Sequence, residues 1–112
     1  MIVDDCAFNL LVLSKLLDTL MVKCDQANNG DKGVCKALQA SKCNNCKGYS
    51  LIFMDCEMPI KDGYQASKEL NELMSNKQLK NVKIVALTGH IGEDEMRKCV
   101  EHGMSEFSNM LI

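Results

Sequence analysis

The sequence contains no tryptophan, and aromatic residues make up only 4% of its 112 residues. A core with so few rings must be built from leucine, valine, isoleucine and the eight methionines. Positive charge is not in excess either, and a net charge of −2 offers no basic surface for nucleic acid or an anionic membrane. No apolar run approaches the roughly 18 residues of a membrane span, and the N-terminus lacks a signal-peptide layout. We therefore expect neither nucleic acid nor membrane as a partner.

The composition that is present is typical of one small globular domain, which we place at residues 1–112, since 46% of the residues are hydrophobic and 25% are charged. The seven cysteines are an odd number scattered along the chain. Without a secretion signal, they are expected to be reduced, as in the cytosol or nucleus. We expect an intracellular, cytoplasmic protein.

Segments with strand patterns alternate with segments of helical periodicity along the whole chain. Alternation of this kind predicts βαβ units, hence an α/β fold with a parallel sheet and helices on both faces. The apolar run at 51–54 and the near-continuous one at 82–87 fit strands that are buried on both sides. Strands are predicted near 1–5, 21–27, 50–55, 82–87 and 105–112, and helices near 8–20, 31–40, 63–75 and 92–102, with Gly103 as a C-terminal helix cap.

Three of these strands end on polar residues: the first on Asp4 and Asp5, the third on Asp55 and the fourth on Thr88. In an open parallel sheet, ligands bind outside the carboxyl ends of the strands, so these side chains could share one crevice. Carboxylates that lie close together repel one another unless a cation lies among them, and Mg²⁺ suits such oxygen ligands. Any one acid could simply be solvated at its strand end. The set of four favours a metal site.

These residues fall within stretches that resemble the receiver domain of two-component response regulators. The resemblance covers almost the whole chain and rests on "IVDD" (2–5), "FNLLVLSKLL" (8–17), "LIFMDCEMPIKDG" (51–63), "VALTGH" (85–90) and "EHGMSEF" (101–107). It implies a flavodoxin-like, doubly wound fold with five parallel strands in the order 2-1-3-4-5, here with a short first strand.

The resemblance also implies a role for each matching residue. Asp55 would be the phosphoacceptor and a ligand of Mg²⁺. Asp5 would bind the ion directly, Asp4 would act through water, and the backbone carbonyl of Glu57 would be a further ligand. The phosphoryl group would come from a phosphohistidine on a histidine kinase or a histidine phosphotransfer protein. Such a domain catalyses only its own phosphorylation and dephosphorylation, so we do not expect an enzyme in the turnover sense.

Two further positions would carry the signal in that family. The hydroxyl of Thr88 would contact the phosphoryl group, and Phe107 would be the aromatic side chain that follows it. Their movement would shift the population between two packings of one sheet face and change a partner surface.

The chain departs from the family's pattern at the position of its lysine, where Met110 stands. Methionine has no charge to pair with a phosphoryl oxygen. Lys61 could in principle replace that cation, although a lysine in an exposed turn is more often solvated. Two hypotheses follow: a domain that accepts phosphate slowly, and a degenerate receiver that acts as a protein-interaction module.

The second departure is that the family continues into a fifth helix, which the sequence does not contain. We expect a C-terminally truncated domain, or the receiver part of a hybrid histidine kinase. In the family that helix shares a sheet face with the first helix. Without it, part of the face formed by the fourth and last strands is expected to be bare, which favours self-association.

Several other features are weaker signals. A Mg²⁺-dependent phosphohydrolase would need a second acid two residues after Asp55, which Glu57 only approximates. The "CNNC" at 43–46 has no second pair of ligands for a zinc site. Cys56 is expected to be a small buried side chain, and His90 and His102 are expected at the surface or in loops.

Overall fold

The computed structural model describes residues 1–42, 48–56, 58, 60–88, 92–104 and 106–109, with the backbone alone for 88 and 106–109. Strands and helices alternate throughout, as predicted. In chain order they are β1 (Ile2–Val3), α1 (Ala7–Thr19), β2 (Gln26–Ala27), α2 (Gly30–Lys42), β3 (Leu51–Asp55), α3 (Gly63–Ser75), β4 (Lys83–Thr88), α4 (Glu93–Glu101) and β5 (Glu106–Asn109).

The strands form a parallel sheet in the order β2-β1-β3-β4-β5. The chain moves outward from β1 to β2, and then returns across β1 to reach β3. Because crossovers between parallel strands are right-handed, this reversal puts α1 on one face and α2, α3 and α4 on the other. The predicted doubly wound α/β fold is confirmed.

The face covered by α2, α3 and α4 holds the main core. The strand register aligns Val3, Met54 and Ala86 on this face, and all three are fully buried. Leu70 of α3 and Cys99 of α4 pack into the same cluster and are also fully buried.

The opposite face, covered by α1, is less closed. Ile2, Phe53 and Val85 are aligned on it by the register, and Phe53 is only half-buried. Our expectation that the β4 part of this face would be bare is wrong, because Val85 and Leu87 are buried. Exposed apolar side chains are concentrated on α1 and the turn after it instead, and a few lie in the β3–α3 loop and on α4. Those of α1 and its turn are Phe8, Leu11, Leu16, Leu20, Met21 and Val22, and the others are Ile60, Met96 and Val100.

The second strand is shorter than the predicted span 21–27. The first residues of the predicted span instead form the turn that closes α1. In this turn the N–H of Met21 donates to the carbonyl of Asp18, and the N–H of Val22 donates to the carbonyl of Leu17. Met21 therefore has a left-handed φ of 60° and is almost fully exposed. Two hydrogen bonds of the same pattern close α4 around Gly103. The φ of Gly103 is 84°, and the predicted cap is confirmed.

Among the described residues, no helix has both the length and the apolar character needed to cross a membrane.

Candidate functional site

Three carboxylates meet at the carboxyl edge of the sheet. Asp4 and Asp5 follow β1, and Asp55 is the last residue of the neighbouring strand β3. One carboxylate oxygen from each of the three lies within 4.8 Å of the others. The chain reverses direction between these strands, and this is where doubly wound sheets bind their ligands.

Asp4 is held by the residues that begin α1. It is only 3% exposed. One of its carboxylate oxygens accepts a hydrogen bond of 2.9 Å from the backbone N–H of Cys6. The other accepts one of 3.3 Å from the side-chain amide of Asn9, and the N–H of Asp4 donates to the carbonyl of Ala27. The bonds from Cys6 and Asn9 stabilise a buried carboxylate that would otherwise be costly to desolvate.

Asp55 reaches the same crevice because of the alternation along β3. Ile52 and Met54 point into the main core, whereas Asp55 lies on the half-buried face. The strand end also fits tightly against the start of α3. A Cβ on Gly63 would lie 2.0 Å from the carbonyl oxygen of Asp55. Only glycine allows this approach, which places the first turn of α3 against Asp55.

The donor set fits a small hard cation. Mg²⁺ binds oxygen at about 2.0–2.1 Å, so neighbouring ligand oxygens lie about 3–4 Å apart around it. The three carboxylate oxygens are already gathered within 4.8 Å. Asp5 is exposed and Asp55 half-buried, so both can reach an ion that keeps several waters. A cation among them would also offset their mutual repulsion.

The other predicted site residues are placed only in part. Thr88 ends β4, one residue beyond the Leu87 that pairs with Asp55, so its backbone lies at the same edge. Phe107 is in β5 and pairs with Ala86. Glu57 and Met110 lie outside the described residues, as do His90 and the "CNNC" segment.

Immediately after Asp55, Cys56 turns back into the core and is 1% exposed, as predicted for a small buried side chain. Burial raises the pKa of its thiol to about 12, and the neighbouring Cys99 adds to the shift. Cys56 and Tyr64 line a cavity of about 370 Å³ next to α4. His102, half-buried at the end of α4, lies 5.5 Å from the Tyr64 ring, measured between centroids.

Sequence reasoning missed the residues that position the site. The bond from Cys6 to Asp4 is a short-range turn whose signal is an acid three residues before the first helical residue. The contact of Gly63 with Asp55 had a sequence signal in the Asp62-Gly63 pair, which we interpreted only as a turn. The ion pairs of Lys61 join parts of the chain that no local pattern links.

Fold and site together define a doubly wound α/β domain with an acidic crevice at its switch point. The family model of the response regulator receiver domain matches residues 1–108, and the chain belongs to this family.

The relatives include both kinases and regulators. The chain is 33% identical over 107 residues to hybrid signal transduction histidine kinase L of Dictyostelium discoideum, a match that covers 96% of this chain and 6% of that protein. It is 34% identical over 109 residues to two-component response regulator 24 of Arabidopsis thaliana, covering 96% and 69%. The chain thus spans only a small part of the hybrid kinases that it resembles.

Solved structures give the same result. The receiver domain of the histidine kinase CKI1 from Arabidopsis thaliana, crystallised in complex with Mg²⁺, has a TM-score of 0.84 and 26% identity. That match covers 96% of this chain and 79% of the other.

Proposed function

We propose that this receiver domain accepts a phosphoryl group from a phosphohistidine onto Asp55, with Mg²⁺ bound beside it, and then changes a partner surface. The observation that carries the proposal is the convergence of Asp4, Asp5 and Asp55 at the carboxyl edge. A chain that needed only a solvated strand end would have no reason to gather three like charges there.

In the proposed reaction, a carboxylate oxygen of Asp55 attacks the phosphorus atom of the donor. The new O–P bond forms as the N–P bond breaks, and the electron pair remains on the imidazole nitrogen. Asp4, Asp5, Asp55 and the carbonyl of Glu57 are the residues that would hold Mg²⁺. When bound, the ion supplies positive charge that offsets the charge on the phosphoryl oxygens. The protein's own contribution is to hold Asp55 in line with the donor.

The hydroxyl of Thr88 would donate to a phosphoryl oxygen, and Phe107 would follow it inward. Phosphorylation adds charge and strong acceptors at the edge of the sheet, which favours the state in which Thr88 is near the phosphoryl group. The side that changes would be formed by β4, β5 and α4.

A second candidate function is a degenerate receiver that binds partners without being phosphorylated. The observation in its favour is Met110 at the position where the family has lysine. Loss of a charged partner for the phosphoryl group could remove about 2–4 kcal/mol of stabilisation. This would slow phosphorylation without abolishing it if the metal and Thr88 still act.

The test is incubation with acetyl phosphate and Mg²⁺, followed by intact-mass measurement. We expect a gain of one phosphoryl group that is removed by hydroxylamine, because the product is an acyl phosphate. The gain should disappear in Asp55→Asn. It should persist in Asp18→Asn, a matched control on the exposed side of α1.

No gain in the wild-type protein over a range of Mg²⁺ concentrations would favour the degenerate receiver. If Met110→Lys then restored the modification, the missing lysine would be the cause.

The natural donor would be a histidine kinase or a histidine phosphotransfer protein inside the cell. Hybrid histidine kinases are among the relatives, so the same polypeptide or a partner could supply the phosphohistidine.

A further inference from the structure

Lys61 lies in the loop between β3 and α3 and contacts two helices. Its Nζ lies 2.5 Å from a carboxylate oxygen of Glu69 on α3 and 3.4 Å from one of Asp31 in the first turn of α2. Its side chain is 19% exposed. The hydrogen bond with Glu69 raises the pKa of Lys61. The ammonium is therefore engaged with these helices, which argues against its use as a replacement for the family lysine.

The backbone of this loop is also tightly fitted. A Cβ on Gly30, the first residue of α2, would lie 2.5 Å from the carbonyl oxygen of Lys61. The preceding residue, Ile60, has a left-handed φ of 73° although its side chain is β-branched and exposed. Such a conformation costs free energy and persists only where surrounding contacts fix it. Lys61 supplies contacts of this kind.

The two carboxylates are not equal partners. The Glu69 side chain is 31% exposed and its bond is short, whereas Asp31 is 61% exposed and more distant. Solvent screens the more exposed pair more strongly, so Glu69 is the main partner. The pair joins the loop to α3, whose first residue, Gly63, already contacts Asp55.

We propose that Lys61 is a positioning residue, which fixes the β3–α3 loop through Glu69 and Asp31 and so holds Asp55, at the start of this loop, in place for Mg²⁺. The inference rests on the proposed function, because Asp55, which lies at one end of the loop and against Gly63 at the other, is a proposed ligand of the ion. Residues that orient metal ligands from outside the coordination sphere commonly change metal affinity about tenfold or more when they are removed.

The experiment compares Lys61→Met with a control variant, Lys68→Met. The control removes an exposed lysine from the neighbouring helix α3. We expect the dissociation constant for Mg²⁺, measured by calorimetry, to rise about tenfold in Lys61→Met and to stay within twofold in the control. Hydrogen exchange of the amides at 56–62 should become faster in Lys61→Met without Mg²⁺, and that of β4 should not change. Glu69→Gln should have a similar effect, and Lys61→Arg should restore both quantities.

A variant that loses stability but keeps its Mg²⁺ affinity and its loop exchange would assign Lys61 a merely structural role and overturn the inference. Equal affinity in wild type and Lys61→Met would do the same. If the wild-type protein binds no Mg²⁺, the proposed function fails and this inference fails with it. If the wild-type protein binds Mg²⁺ and Lys61→Met binds it equally well, the inference about Lys61 fails and the proposed function stands.

Discussion

The two faces of the sheet differ in how completely their helices cover them. On the face covered by α2, α3 and α4, Ile52, Met54 and Leu70 are fully buried. On the α1 face, Phe53 and Asp55 of the same strand are only half-buried. α1 itself leaves Leu16 57% exposed and Leu20 71% exposed. One face thus supplies most of the packing, and the other leaves room for a charged side chain.

This difference explains how a buried strand can end on a carboxylate. A one-residue step along β3 separates Met54, which has no contact with solvent, from Asp55, which keeps part of its hydration. The next step returns to the covered face at Cys56. Charge is costly to desolvate, so a carboxylate at this strand end belongs on the more open face. The strand's alternation and not its composition decides which residue can carry a charge at the strand end.

The largest expected effect on stability is the difference between two leucine truncations, one in the main core and one on α1. Leu70→Ala removes a fully buried side chain from the main core and should lower the free energy of unfolding by about 3 kcal/mol. Leu16→Ala removes a mostly exposed side chain and should change it by less than about 0.5 kcal/mol. Urea denaturation of both variants measures the difference. Equal losses would show that α1 is as well packed as α3 and would break the comparison.

A smaller effect should follow from the burial of Cys56. Its pKa is about 12 in the folded protein, against an ordinary value of 9.0. The thiol therefore keeps its proton in the folded state after the unfolded chain has lost it. The stability that this contributes is present below about pH 9 and is lost as the pH rises toward 12.

The measurement compares wild type with Cys56→Ala at pH 7 and pH 10, because other groups titrate in both proteins. The wild type should lose about 1 kcal/mol more than the variant over this interval. A constant difference between the two would mean that the Cys56 thiol is not shielded by the covered face.

How far the sequence predicted the molecule depends on the range of the contacts. The apolar runs of β3 and β4 predicted both strands, because a strand covered on two faces leaves a plain local pattern. The span 21–27 was misjudged, because the turn that closes α1 uses Met21 in a left-handed conformation that methionine does not signal. The ion pairs of Lys61 could not be predicted, since they join residues 30 and 8 positions away.

The C-terminal ends of α1 and α3 can also be compared. The effect of glycine at these two ends should not depend on which face of the sheet the helix covers. Met21 after α1 and Lys77 after α3 both have left-handed φ values, of 60° and 62°. Glycine at either position removes the Cβ penalty but adds backbone entropy to the unfolded chain, so each variant should gain about 0.5 kcal/mol. Thermal unfolding of Met21→Gly and Lys77→Gly measures it. A gain at only one end would mean that tertiary contacts, which differ between the faces, determine the cap.

The double variant Leu16→Gln and Leu20→Gln should have the smallest effect on stability. It is also the most direct test of the exposed apolar surface of α1 and the turn after it. Both side chains are mostly exposed, so the free energy of unfolding should stay within about 0.5 kcal/mol of wild type. Exposed apolar side chains that lie one helical turn apart favour association. We therefore expect wild type to self-associate as its concentration rises in sedimentation velocity, and the double variant to do so less.

The pair Lys15→Gln and Lys23→Gln is the matched control, because it changes exposed polar positions near the same helix. A wild type that remains monomeric at all concentrations would contradict the prediction, and would mean that the exposed Leu16 and Leu20 do not suffice to drive association.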